Sequence, residues 1–135
     1  MIDNATILVV DDEEMLRNLL RKILVKEGYR VLTSSSAPEA LEKLSSESID
    51  LVISDVQMPE MDGFELLKAL KKDYPQIGVI VMTAYGDAYT VRDALLLGAD
   101  EYITKPFKSF EVVMVVERAH WRILSSRQRE ESITD

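Results

Sequence analysis

Polar side chains that could bind an ion and a phosphate group follow several of the apolar runs in this sequence. Asp11 and Asp12 come directly after the first run, and Asp55 ends the run LVISD. Thr83 and Lys105 end two later runs. Carboxylates are ligands for hard cations, and a lysine ammonium and a hydroxyl can bind phosphate oxygens. This chemistry requires a fold that places the five side chains together.

Short apolar runs alternate with stretches of helical periodicity along the chain. The predicted strands are Thr6–Val10, Tyr29–Thr33, Leu51–Ser54, Gly78–Thr83 and Glu101–Thr104. Five strands that are each followed by a helix predict an α/β fold, with a parallel sheet covered on both faces. The first, third and fourth runs are almost wholly apolar, as central strands are, whereas the other two carry polar residues. This pattern favours the flavodoxin-like, doubly wound five-stranded parallel sheet of order 2-1-3-4-5 with five helices.

Each helical stretch has an apolar face and recognisable ends. The residues expected to be buried are Leu16, Leu19, Leu20, Ile23, Leu24, Ala40, Leu41, Leu44, Leu66, Leu67, Leu70, Ala88, Val91, Ala94 and Leu95. Gly28 and Gly98 are predicted to end the first and fourth helices. Ser36-Ala37-Pro38-Glu39 is a capping box for the second helix, and Asp62-Gly63-Phe64-Glu65 opens the third. The fifth helix is predicted from about Ser109 to at least Leu124.

The composition indicates one globular domain. The chain has 135 residues, of which 47% are hydrophobic and 30% charged, enough to bury a sizeable core. Its 24 acidic and 16 basic residues give a net charge of -8, which disfavours direct nucleic-acid binding. The absence of cysteine excludes disulfides and thiolate metal sites. No apolar run has the length of a membrane span and the N-terminus lacks a signal peptide's basic start, so we expect a cytoplasmic protein.

The carboxyl ends of parallel strands share one edge of the sheet, so the five polar residues should lie side by side there. Each also has a separate structural explanation. Asp11 and Asp12 could cap the first helix, Asp55 could begin a turn, Thr83 could cap the fourth helix, and Lys105 could be a solvated surface residue. One shared site explains their common position better than four independent roles.

Three neighbouring carboxylates require cations. At about 4 Å and an effective dielectric of about 20, each pair of charges repels by about 4 kcal/mol, so the cluster should raise its own pKa values or bind cations. One divalent ion together with Lys105 would balance the three negative charges. Oxygen ligands with open coordination positions favour Mg²⁺. Asp55 lies between the acids and Thr83 and is the best-placed nucleophile for a phosphoryl group.

The segments ILVVDDEEMLR, DLVISDVQMPEMDGFELL and VIVMTAYGDAYTVRDALLLGADEYITKPF resemble the receiver domain of two-component response regulators. The resemblance covers Thr6 to about Leu124. It implies that Asp55 accepts a phosphoryl group from a sensor histidine kinase in a Mg²⁺-dependent reaction, and that the chain catalyses only its own phosphorylation and dephosphorylation. The third segment is most similar to receivers fused to ATPase-type transcription activators. Residues 1–124 would then form the receiver domain, and the polar residues 125–135 a frayed helix end or the start of a linker to an output domain absent from this chain.

The resemblance also implies a set of metal ligands. Asp12 and Asp55 would bind Mg²⁺ directly, Asp11 through a water molecule, and Gln57 through its backbone carbonyl. Gln57 and Tyr85 lie at positions that vary within the family and that tune the lifetime of the phosphoryl group.

Further residues are implied to bind the phosphoryl group and to respond to it. Lys105 would pair with phosphoryl oxygens, Thr83 would donate a hydrogen bond to one of them, and the backbone N–H of Ala84 could assist. The Lys105–Pro106 bond corresponds to a cis peptide of the family. Tyr102 corresponds to an aromatic switch residue that follows the movement of Thr83, although it could also be an ordinary edge-strand aromatic residue.

Apolar residues are predicted on the outer sides of the fourth and fifth helices. They are Tyr89, Leu96, Met114, Val115, Trp121 and Leu124. A contiguous apolar patch would indicate a partner surface. We therefore hypothesise a phosphorylation-dependent homodimer, or contact with an output domain, through the fourth helix, fifth strand and fifth helix. His120 is predicted to be a surface or packing residue and not a phosphate donor.

Two other functions fit the same sheet less well. The sequences of magnesium-dependent phosphatases and mutases with an aspartate nucleophile have the motif Asp-x-Asp after the strand. In this chain the position of the second acid is occupied by Gln57. A flavin- or nucleotide-binding module would need a small, polar phosphate loop after the first strand. The acids of residues 11–14 would repel a phosphate there.

Overall fold

Five β-strands alternate with five α-helices, as the sequence predicts. The computed structural model describes the backbone of residues 5–57, 63–84 and 88–134, and the side chains of these residues except 88–89 and 127–134. The elements in chain order are β1 (Thr6–Val10), α1 (Glu14–Lys26), β2 (Arg30–Ser34), α2 (Ala37–Ser46), β3 (Leu51–Asp55), α3 (Gly63–Asp73), β4 (Gly78–Ala84), α4 (Ala88–Leu96), β5 (Glu101–Lys105) and α5 (Ser109–Thr134). The predicted opening of α3 at Asp62 lies outside the described residues.

The strands form one parallel sheet of order β2-β1-β3-β4-β5, which confirms the predicted topology. β2 begins at Arg30 and not at the predicted Tyr29. The reason is that Tyr29 is part of the turn that follows α1, where its N–H donates to the Leu24 carbonyl over 3.2 Å. Gly28 makes this helix end feasible because its φ of 96° lies in the region that favours glycine.

The sheet is covered on both faces by separate hydrophobic clusters. One cluster joins β1, β3 and β4 to α2, α3 and α4 through residues that include Leu44, Leu66 and Ala94. The other joins the opposite face to α1 and α5 through residues that include Leu24 and Val116. Burial on both faces explains why the central strands are continuous apolar runs and do not alternate with polar residues.

Three predictions of side-chain position were wrong. Leu19 and Leu95 were expected in the core, yet each is 46% exposed. Leu19 lies on the lip of an open apolar groove between α1 and α5, which Phe110 and Met114 also line. Val115 was expected on the outer side of α5 but is buried against the sheet, because α5 presents positions 112, 115, 116 and 119 to the core.

The capping box of α2 forms in a modified way. Ser36 accepts a hydrogen bond from the Glu39 N–H at 3.3 Å, as predicted. The Glu39 carboxylate, however, accepts from the N–H and the hydroxyl of Ser35 and does not return to Ser36. The hydrogen bond from the Ser35 hydroxyl is the largest cause that holds the pKa of Glu39 below its usual value.

The last helix is the longest element. α5 has 26 residues, so it is about 39 Å long, whereas the seven residues of β4 span about 23 Å. The polar segment 125–134, predicted to be a frayed helix end or a linker, has a helical backbone. None of the helices in the described part of the chain is long and apolar enough to cross a membrane.

Candidate functional site

Three acidic residues converge at the carboxyl edge of the sheet. Asp11 directly follows β1 and Asp55 ends β3, and these strands are neighbours in which Val10 pairs with Ser54. One carboxylate oxygen from each of Asp11, Asp12 and Asp55 lies within 4.8 Å of the others. Asp11 and Asp55 are buried while Asp12 is exposed, so the cluster is open to solvent on one side.

Lys105 extends from the end of β5 into this acidic cluster. Its Nζ lies 2.9 Å from Oδ2 of Asp55 and 3.3 Å from Oδ2 of Asp11. The lysine is therefore not a solvated surface residue, which was the alternative that the sequence left open. The Lys105–Pro106 peptide bond is cis, as the family resemblance implies.

Each of the two buried acids also binds the backbone beside it. Oδ1 of Asp11 accepts from the Glu13 N–H at 2.8 Å, and Oδ1 of Asp55 accepts from the Gln57 N–H at 3.1 Å. The expected turn-forming role of Asp55 is thus compatible with its place in the site. α1 has Glu13 at its N-cap without a side-chain capping bond, so the acids do not cap that helix.

The electrostatic state of the site follows from burial and charge. Burial is the largest influence on Asp11 and raises its pKa; the Glu13 N–H and Lys105 oppose the rise, while the charge of Asp55 adds to it. Burial alone would lower the pKa of Lys105, but its hydrogen bonds and ion pairs with Asp55 and Asp11 outweigh burial and raise it. Lys105 is therefore held in its charged form beside the two buried acids.

Thr83 contributes a buried hydroxyl without a partner. The residue is 1% exposed near the end of β4, and its Oγ1 has no hydrogen-bond partner among the described residues. Ser34 on β2 has the only other such oxygen in that part of the chain. A buried hydroxyl that lacks a partner costs about 1–3 kcal/mol, so Thr83 Oγ1 is an available donor at the carboxyl edge of the sheet. The oxygen-only donor set and this free hydroxyl fit a magnesium ion and a phosphoryl group.

The other predicted residues lie around this centre. Ala84 ends β4, is exposed and pairs with Lys105 in the strand register. Gln57 has an exposed side chain. Tyr102 lies on β5 opposite Val81 and is 42% exposed. Tyr85 lies outside the described residues.

Two supporting residues were not predicted from the sequence. Arg17 on α1 donates to the backbone carbonyl of Asp11 at 2.8 Å and anchors the loop that carries the acids. Gly63 donates its N–H to the Val56 carbonyl at 2.9 Å, and a Cβ at this position would overlap the Asp55 carbonyl and lie 2.5 Å from Cα of Val56. Its place beside Asp62 indicated only a helix start, because the sequence does not show the approach of another backbone segment.

Gly63→Ala is expected to lower the free energy of unfolding by about 3 kcal/mol, because backbone atoms cannot move aside as a flexible side chain can. Gly28→Ala is the control: a Cβ there contacts nothing within 4 Å, and only its φ of 96° disfavours alanine. That strain costs about 1–2 kcal/mol. Urea denaturation of both variants measures the difference, and an equal loss in the two variants would contradict the close approach at Gly63.

Comparison with known proteins relates this chain to response regulators. The chain matches the family model of the response regulator receiver domain over residues 7–117. It is 37% identical over 123 residues to the DNA-binding transcriptional regulator NtrC of Proteus hauseri. The aligned residues cover 90% of this chain and 26% of NtrC. It is 42% identical over 109 residues to the alkaline phosphatase synthesis transcriptional regulatory protein PhoP of Bacillus subtilis. The aligned residues cover 81% of this chain and 45% of PhoP.

A solved structure shows the same similarity. The receiver domain of NtrX from Brucella abortus has a TM-score of 0.80 and 37% identity, with 84% of this chain and 96% of that chain covered. The chain spans less than half of the length of the two curated regulators.

Proposed function

The chain belongs to the response regulator receiver domain family of two-component systems, and from this premise we propose that Asp55 is its phospho-acceptor. The observation that carries the proposal is the contact of Lys105 with both Asp55 and Asp11, with Asp12 beside them. The phosphate donor is proposed to be the phosphohistidine of a sensor histidine kinase. Family membership identifies a signalling domain, and the only chemistry proposed is its own phosphorylation and dephosphorylation.

Phosphorylation is proposed to occur by nucleophilic attack of Asp55. A carboxylate oxygen forms a bond to phosphorus, the phosphorus–nitrogen bond of the donor breaks, and its electron pair remains on the departing imidazole nitrogen. Lys105 is already charged beside this carboxylate, so it can pair with the phosphoryl oxygens. The buried hydroxyl of Thr83 would donate to one phosphoryl oxygen, and the Ala84 N–H is proposed to assist.

The acidic residues are proposed to hold Mg²⁺. Asp12 and Asp55 would bind it directly, Asp11 through water, and Gln57 through its backbone carbonyl. The ion would neutralise charge on the phosphoryl oxygens and on the acids. Asp11 would also orient Lys105 through the contact at 3.3 Å, and Arg17 would hold the Asp11 backbone in place.

Tyr102 is proposed to report the phosphorylated state. It is half-exposed on the edge strand β5, three residues before Lys105. Donation from Thr83 to a phosphoryl oxygen would draw that side chain toward the site, and Tyr102 would then occupy its inward conformation more often. The similarity to NtrC, described as a DNA-binding transcriptional regulator, supports a role in transcription through an output domain of the ATPase-type activators. Direct nucleic-acid binding by this acidic domain is not proposed.

One experiment separates the proposal from its two rivals. The protein is incubated with acetyl phosphate and Mg²⁺, and intact mass spectrometry measures phosphoryl adducts. A receiver domain yields one acid-stable, base-labile adduct that does not form in the presence of EDTA. Sustained phosphate release without an adduct would instead indicate a phosphatase or mutase, and neither signal would favour a flavin- or nucleotide-binding module.

A phosphorylation-dependent homodimer through α4, β5 and α5 is also proposed. Leu96, Tyr102 and Trp121 are exposed large apolar residues on these elements. Val115 cannot contribute because it is buried, and Met114 lines the groove toward α1. The side chain of Tyr89 lies outside the described residues.

Analytical ultracentrifugation with and without a phosphoryl mimic tests this dimer. The expected result is a monomer that doubles its mass when the mimic and Mg²⁺ are added, and Trp121→Gln should weaken the association. Asp73→Asn, which changes an exposed residue on α3, is the control. An unchanged mass in both states would exclude the dimer.

A further inference from the structure

The edge strand β5 is bound by ion pairs at both of its ends. At its carboxyl end Lys105 contacts Asp55 and Asp11 in the acidic site. At its other end Glu101 contacts Arg118 at 2.9 Å and Arg122 at 2.5 Å, and both arginines belong to α5. We call Glu101, Arg118 and Arg122 the Glu101 clamp. One five-residue strand therefore connects the candidate phosphorylation site to the last helix.

The clamp has features that are uncommon in a surface ion pair. Glu101 is only 7% exposed, and each of its carboxylate oxygens contacts a different arginine. Arg118 and Arg122 are four residues apart, so both lie on the same side of α5. Arg122 also donates to the Asp100 carbonyl at 2.7 Å, and Asp100 is itself bound by Lys71 and by the Val79 N–H. The start of β5 is thus attached to α5 and to β4.

The clamp contacts α5 near the middle of the helix, at Arg118 and Arg122. The last α5 residue that packs against the core cluster is Ile123, directly after Arg122. Beyond this point the helix continues to Thr134. The clamp therefore holds α5 beside Ile123, at the end of the part of the helix that packs against the core cluster in the described residues.

We propose that the Glu101 clamp couples the state of the acidic site to the middle of α5, around Arg118 and Arg122, with Glu101 as the positioning residue. The inference rests on the proposed phosphorylation of Asp55. A phosphoryl group on Asp55 offers Lys105 new oxygen partners, and the displacement of Lys105 acts on β5. Because β5 pairs only with β4, it is freer to shift than a central strand. Its two ends are about 13 Å apart, so a shift at Lys105 reaches Glu101 through four peptide units.

A purely structural role makes a different prediction. If the clamp only stabilises α5, its loss increases the opening of the helix equally with and without phosphorylation. If it couples the two sites, its loss reduces the difference between the phosphorylated and unphosphorylated states. The informative quantity is therefore the ratio of α5 amide exchange rates in the two states, and not either rate alone.

The experiment uses the full 135-residue chain with Mg²⁺, with and without acetyl phosphate. Hydrogen exchange with mass spectrometry measures the α5 amides between Val113 and Ser126. Fluorescence of Trp121, the single tryptophan, reports the same helix between the two arginines. Intact mass on the same samples gives the extent of phosphorylation. The variants are Glu101→Gln, which retains the side-chain shape, Glu101→Asp, and the control Glu47→Gln, which breaks the exposed Arg30–Glu47 pair on the other edge of the sheet.

In the wild type, phosphorylation is expected to change α5 exchange by about fivefold or more, a typical lower value for coupled sites. Glu101→Gln should reduce this ratio to below about twofold with the same extent of phosphorylation. Glu101→Asp should restore part of the ratio, and Glu47→Gln should leave it unchanged. Arg118→Gln, a change at a largely exposed side chain, should show the same loss if Glu101→Gln fails to fold.

Two results would overturn the coupling while leaving the proposed function intact. One is a phosphorylated wild type whose α5 exchange and Trp121 emission do not change. The other is a Glu101→Gln or Arg118→Gln variant that retains the wild-type ratio. A wild type that forms no adduct at all would overturn the proposed function, and this inference with it.

Discussion

Asp55→Asn is expected to lower phosphoryl adduct formation from acetyl phosphate by on the order of a hundredfold or more, because an amide is a poor nucleophile for phosphorus. The substitution retains the volume of the side chain and an oxygen that can accept from the Gln57 N–H. It removes the negative charge that Lys105 contacts at 2.9 Å. Time-resolved intact mass spectrometry with Mg²⁺ measures the rate of adduct formation directly.

Asp73→Asn provides the matched control for this variant. Asp73 is an exposed aspartate at the end of α3, outside the acidic cluster, and its substitution changes the net charge by the same amount. It should retain the wild-type rate. Adduct formation by Asp55→Asn at the wild-type rate would show that another side chain accepts the phosphoryl group, and peptide mapping would identify it.

Lys105→Gln is expected to change two properties in opposite directions. The rate of phosphorylation should fall by on the order of a hundredfold, because the charge that stabilises the phosphoryl oxygens is lost. The affinity for Mg²⁺ should increase, since the three carboxylates lose the ammonium group that competes with the ion for two of them. Isothermal titration with Mg²⁺ and the rate of adduct formation measure the two effects.

The opposite signs make this prediction specific. General unfolding of the site would lower both the rate and the affinity, so a decrease in both would contradict the proposed role of Lys105. Lys68→Gln is the control because Lys68 is exposed on α3, away from the acids. It should leave both properties unchanged.

The sequence predicted the parts of the fold that depend on local patterns. Local patterns predicted the apolar strands, the helix ends at Gly28 and Gly98, and the α2 cap at Ser36. Each of these features depends on residues that are neighbours in the chain. The strand order was also predicted correctly, since apolar runs identify central strands and crossover rules leave few alternatives. The carboxyl edge of a parallel sheet then collects the polar residues that end its strands.

Side-chain burial at the borders of helices could not be predicted in the same way. Leu19 and Leu95 follow the apolar periodicity of their helices but remain about half exposed. Val115 was predicted on the outer side of α5 but is buried. Periodicity defines an apolar face, but the width of the face that becomes covered depends on how closely the next helix packs. In this protein α1 and α5 leave an open groove between them beside Leu19.

The elements of the fold, and the reactive groups that share one edge of the sheet, can be predicted from the amino-acid sequence, because both follow from short-range periodicity and from the common direction of parallel strands. The pairing of charges depends instead on how the elements pack. Lys105 reaches Asp55 across β4, and Glu101, which appeared to be an ordinary polar residue of an edge strand, is buried between Arg118 and Arg122. Such pairs join residues that are far apart in the chain, so they exist only once helix and sheet have packed together.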